Sequence, residues 1–182
     1  MCDNHKLSNR RKFLQLTATG LLVLPTIQAM PASAANDVAP VLDLPKPGSH
    51  DACPVCGMFP AKYPDWVATV LFEDGHADHF DGAKDFFKYL FDMPKYASGR
   101  QREQIKAMGV TGYYAAELID ATKAIYVIGS DVLGPMGHEL IPHPDRYDAD
   151  AFMLDHAGHG LVEFEEASME MMLALDDGKF LI

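Results

Sequence analysis

The sequence predicts an α+β fold made of two small, related halves packed as one unit. A hairpin followed by a helix is written twice along the chain. With 48% hydrophobic and 23% charged residues in 182, the chain can bury a core and is too apolar to be disordered. Each repeated unit, at roughly 60–70 residues, is too small to be very stable unless it shares a core or gains a staple.

The first 34 residues belong to targeting. Arg10 and Arg11 precede an apolar stretch over residues 16–27, and Ala32-Ser33-Ala34 supplies the small residues of a cleavage site before Ala35. This is the pattern of a twin-arginine export signal, which implies a periplasmic destination. The stretch carries Thr17, Thr19, Gly20, Pro25 and Thr26 and falls short of the ~20 apolar residues a membrane span needs. Lipid attachment is not supported, since no Cys ends the apolar stretch. Residues 35–52, with Pro40, Pro45, Pro47 and Gly48, read as an extended linker.

The first half is expected over residues 53–95. Residues 66–72 (WVATVLF) read as a strand, Glu73-Asp74-Gly75 as a hairpin turn and residues 76–80 as a second strand. Asp81 has N-cap character. Ala83, Phe86, Phe87, Leu90 and Phe91 then recur at helical spacing up to Pro94. Residues 96–112 form a connector, and the charges from Arg100 to Lys106 mark it as solvated and open to a helical reading. The second half spans residues 113–178. Residues 113–119 and 124–128 are expected to pair around residues 120–123. A Gly/Pro-rich loop follows, then a helix from Asp148 to His156, a strand over 161–164 and a last helix over 165–175, with Gly178 after it.

The formal charge of −11 argues against nucleic acid and anionic membrane surfaces as partners, because phosphate binding needs clustered Lys and Arg. Loss of residues 1–34 would remove four cations and one acid, taking the charge to about −14. A cation or a basic partner suits such a chain.

Cys53-Pro-Val-Cys56-Gly-Met58 is the sharpest local signal. The pair suits a redox dithiol, half of a zinc site or a soft-metal site. A dithiol of the thioredoxin kind wants its first Cys at a helix N-terminus, whereas Pro60 and Pro64 follow here. Zinc wants four N/S ligands, and the chain after Ala35 has no second Cys pair and no compact His pair. Thiolate and thioether together suit Cu(I). A second soft donor, Met136, sits in Gly134-Pro135-Met136-Gly137, where the glycines and Pro135 hold it out on a loop. His138 is available as a further ligand. On spacing alone, both Met side chains read equally well as gap fillers in packing. His76 and His79 have opposite strand parity. His143, His156 and His159 read as surface loop residues, Asp145, Asp148, Asp150 and Asp155 as a solvated face, and Met169, Met171 and Met172 as core or partner contacts. No nucleophile with a paired base points to catalysis.

CPVCGM, the hairpin FEDGHADHFDG entering a helix, and AIYVIGSDVLGPMGHELIPH followed by a helix and VEFEE together resemble the NosL family over nearly all of residues 50–170. The resemblance implies two ββαβ-type halves and a periplasmic Cu(I)-binding accessory protein that helps to assemble the copper centres of nitrous oxide reductase. It also implies that Cys53, Cys56, Met58 and Met136 bind the copper. Many family members are lipoproteins anchored at the cleavage site, and this chain departs from that pattern. A copper-enzyme client or its assembly machinery is the expected partner. The alternative reading is a thiol-disulfide oxidoreductase using Cys53 and Cys56, and a third is a structural module stapled by that pair.

Overall fold

The computed structural model describes residues 38–180. The export signal expected over residues 1–34 lies outside them. The described chain runs β1 (Ala68–Phe72), β2 (Ala77–Phe80), α1 (Ala83–Phe91), α2 (Met93–Tyr96), β3 (Ile105–Thr111), β4 (Leu118–Asp120), β5 (Ile125–Ile128), β6 (Ile141–His143), α3 (Arg146–Asp155), β7 (Gly160–Glu163) and α4 (Met169–Asp176). This is an α+β fold. Among the described residues, no helix is long and apolar enough to cross a membrane.

Two antiparallel sheets form, in the orders β2-β1-β3-β4 and β6-β5-β7. In each, a hairpin is followed by a helix and a third strand that returns to pair with the first strand of the hairpin. The β1–β2 hairpin forms as its pattern predicts, with Thr69 opposite His79. Residues 105–111 differ from the expected connector. They form β3, paired along the other edge of β1 with Val70 opposite Met108. Its one charged residue, Lys106, lies at the start, and Val110 and Thr111 at the other end are buried.

The second hairpin also differs from the expected one. β4 pairs with β3, whereas β5 takes β6 as its hairpin partner, with Tyr126 opposite Pro142. The Gly/Pro-rich loop of residues 129–140 is thus the hairpin connection itself. The residues before β1 are docked rather than free: Leu42 N–H donates to Leu118 O at 2.7 Å and Asp120 N–H to Pro40 O at 2.9 Å. The helix expected over 165–175 is shorter, because Ser168 caps α4 by accepting from Met171 N–H at 3.2 Å.

One core joins the elements of both sheets, including Phe80, Phe86, Phe87, Tyr126, Val162 and Met172. Phe87 on α1 lies at its centre. Its ring meets Phe86 at 5.2 Å, Tyr126 of β5 at 5.2 Å and Phe164 at 5.3 Å between centroids, within the range of favourable aromatic pairs. A smaller cluster of Val127, Ile141, Ala149 and Phe152 lies under α3.

His143 is not a surface residue. It is 0% exposed on β6, ringed by Tyr113, Tyr114 and Phe152, and neither ring nitrogen has a hydrogen-bond partner. Tilted contacts with these three rings accompany the burial of the imidazole between its flanking prolines. Burial, opposed by Asp145, lowers its pKa from 6.5 to about 4. A depressed pKa means stability that is complete above pH 6.5 and is lost progressively as the pH falls from there to about 4. The full effect is about 3 kcal/mol. Urea unfolding of the parent at pH 7 and pH 4.5 should show this loss, and His143→Phe should reduce it; equal losses in both would contradict the assignment.

Candidate metal centre

The Cys53–Met58 segment is a closed loop ahead of β1. Cys53 N–H donates to Met58 O at 2.7 Å and Gly57 N–H to Cys53 O at 2.9 Å, with Gly57 in the left-handed region at φ 79°. The two backbone bonds turn both thiols toward the start of α1. Cys53 is buried, Cys56 is half-buried, and both are free thiols. Cys56 Sγ–H donates to Asp81 Oδ1 at 3.0 Å, and Cys53 Sγ–H is directed at Asp85 Oδ2 at 3.7 Å. Donor atoms of Cys53, Cys56, Asp81 and Asp85 all lie within 4.8 Å of one another.

Asp81 and Asp85 are the site residues that the sequence reading missed. Asp81 has the residue type and position of an N-cap, yet Gly82 holds that position and makes no side-chain cap bond. The capping role passes to Glu139, whose Oε2 accepts from Lys84 N–H at 2.8 Å across 55 residues of chain. Gly82 permits this approach, since a Cβ there would stand 2.5 Å from Glu139 Oε1. Asp81 is thereby released to meet Cys56. It is 1% exposed and its Oδ2 has no partner, an arrangement that costs free energy unless a proton or cation satisfies it. Burial also pushes the Glu139 carboxyl up to about 8, against the opposing pull of Lys84.

The β5–β6 loop reaches the same place. Gly134 and Gly137 exchange backbone hydrogen bonds at 2.8 and 3.1 Å, so Pro135 and Met136 form the tip of a tight turn closed by Gly137 at φ 86°. Lys84, itself 1% exposed, fixes that tip. Its Nζ donates to Met136 O at 3.0 Å and pairs with Asp176 of α4 at 3.0 Å. Met136 is 45% exposed and lines an open cavity of about 600 Å³ together with Cys56, Asp85 and Asp176.

The structure thus brings Cys53 and Cys56 together and sets Met136 at the cavity that Cys56 opens into. Met58 is half-buried where the Cys loop closes, and it is not among the residues lining that cavity. His138 turns to Phe180, with ring centroids 5.1 Å apart. A second open groove of about 480 Å³, lined by Val41, Leu44, Pro64 and Leu118 among others, contains no Cys, His or Met.

Burial is the main cause that raises both thiol pKa values: Cys53 rises to about 11, and Cys56, which also faces Asp81 and Asp85, rises further. A nucleophilic dithiol needs the opposite shift.

A search of solved structures finds the crystal structure of the copper chaperone NosL from Shewanella denitrificans, 24% identical over 72% of this chain and 99% of that one, with a TM-score of 0.59. It also finds the solution structure of apo-NosL from Achromobacter cycloclastes, 27% identical over 58% of this chain and 87% of that one, with a TM-score of 0.39. The first of these shows that the fold is shared. No curated protein matches the chain in sequence. The NosL family model matches residues 45–172, most of the described chain, and the protein belongs to the NosL family.

Proposed function

We propose that the protein is a periplasmic copper chaperone. It takes up Cu(I) through Cys53, Cys56 and Met136 and passes it to a copper enzyme or its assembly machinery. The observation that carries this reading is the meeting of two thiols and two buried carboxylates at a cavity with a thioether at its edge. Thiolate and thioether are the donors that Cu(I) prefers, and it needs only two or three of them. Asp81 and Asp85 hold the thiol hydrogens while the site is empty and supply the negative charge that draws a cation in. On loading, the thiol protons leave and the sulfurs ligate. Because Met136 stands on an exposed turn, an incoming donor can bond the ion before the last outgoing one lets go.

Family membership supports this reading, as does the description of the Shewanella denitrificans structure as a copper chaperone. Nitrous oxide reductase is the client that the resemblance to the family implies. Export by the twin-arginine route follows from Arg10, Arg11 and the apolar stretch after them. The common order of β1-β2-α1-β3 and β5-β6-α3-β7 supports a relation between the two halves. Met58 and His138 are assigned lesser parts, Met58 through the loop it closes and His138 two residues beyond Met136. The reading is of a carrier and not an enzyme. An oxidoreductase is disfavoured by the raised thiol pKa values and by the absence of a helix starting at Cys53.

Anaerobic titration of the reduced protein with Cu(I), against a chromophoric chelator, tests the proposal. Saturable binding that outcompetes the chelator is expected. Binding no tighter than that of an unrelated acidic protein would overturn it.

A further inference from the structure

The described chain contains eight methionines, and their surroundings separate them. Met93, Met171 and Met172 are core residues, Met108 packs against that core, and Met153 packs against the cluster under α3. Met58, Met136 and Met169 belong to neither cluster. Of these three, Met136 and Met169 line the cavity into which Cys56 opens. They come from unrelated elements, one from the tip of the β5–β6 turn and the other from the first position of α4. In the sequence Met169, Met171 and Met172 read alike, as core or partner contacts. The helix divides the three, burying Met171 and Met172 and leaving Met169 half-buried at the cavity wall.

Two features hold Met169 there. Ser168 fixes the first turn of α4 by capping it. At the other end of the helix, Asp176 pairs with Lys84 at 3.0 Å and Lys88 at 2.7 Å, both on α1. The residue that anchors the Met136 carbonyl, Lys84, is therefore also one of those that anchor α4. The positions of the two thioethers are set by a common buried cation.

We propose that Met169 is a second thioether donor for a soft monovalent cation and that, with Met136, it forms an all-thioether position at the mouth of the cavity. This rests on the copper reading above and adds a site to it. Transfer from the thiols to this position is a ligand exchange. A metal–thiolate bond breaks as a metal–thioether bond forms, the thiolate regains a proton from solvent, and the metal keeps its oxidation state. Thioethers carry no charge and bind more weakly than thiolates, so an ion held by them is easier to give up to a partner's ligand.

The test uses the reduced protein carrying ¹³C-methyl methionine, titrated with Ag(I) as a redox-inert soft cation, with signals assigned by Met136→Leu and Met169→Leu. Leucine keeps the apolar volume and removes the sulfur. The methyl signals of Met136 and Met169 are expected to move with added Ag(I), while those of Met108 and Met153 stay in place. Met169→Leu should weaken Cu(I) binding about tenfold without changing the thermal transition. Movement of Met136 with Met169 stationary would overturn the proposal and leave the copper reading intact. If no methionine moves and no Ag(I) is taken up, both fall.

Discussion

Substituting serine for Cys53 and Cys56 together is expected to lower Cu(I) affinity by roughly a thousandfold or more, since loss of a mere outer partner of a metal ligand costs ten- to a hundredfold. Serine is close in shape and keeps a hydroxyl for Asp81 and Asp85, so the buried carboxylates are not stripped of their donors. The double variant should therefore fold with nearly the parent's circular dichroism while failing in the chelator competition. If it holds Cu(I) as tightly as the parent, the thiols are not ligands. The cluster of Cys53, Cys56, Asp81 and Asp85 would then be a hydrogen-bonded structural feature.

Phe87→Ala is the substitution expected to cost the fold most, about 3–5 kcal/mol as for other large-to-small changes of buried aromatics. At this chain length that corresponds to a fall of roughly 10 °C in Tm. The residue matters because its ring touches both Phe86 of its own helix and Tyr126 of the second sheet. The single tryptophan, Trp66, packs against the smaller cluster under α3. Its fluorescence should follow the same transition as the far-ultraviolet signal in both parent and variant. Two separated transitions would contradict a core shared between the sheets.

The parts of the fold legible in the sequence are those whose signals are local. The β1–β2 hairpin and α1 follow from a β-branched run, an Asp-Gly turn and a 3.6-residue period. What was hidden depends on distant partners. β3 begins among charges and contains Gly109, yet it pairs with β1 more than thirty residues away, and the linker's Leu44 lies close against that glycine. The β5–β6 hairpin was obscured by the long loop between its strands, which made the nearer segment 113–119 look like the natural mate of β5.

The site divides along the same line. Cys53, Cys56 and Met136 stood out because thiols and a glycine-flanked Met are conspicuous in sequence. Asp81 has the sequence signature of a helix cap, a role that Glu139 fills from the other hairpin. Asp85 carried no signal beyond lying four residues after Asp81 at the start of an apolar helix. Met169 was masked by Met171 and Met172, and only the burial of those two separates it.

X-ray absorption at the copper edge of the Cu(I)-loaded, reduced protein tests the central claim most directly. A sulfur-dominated first shell of two or three donors is expected, because the two thiols meet beside a cavity that Met136 and Met169 line. A first shell of nitrogen and oxygen, with sulfur absent, would contradict the account.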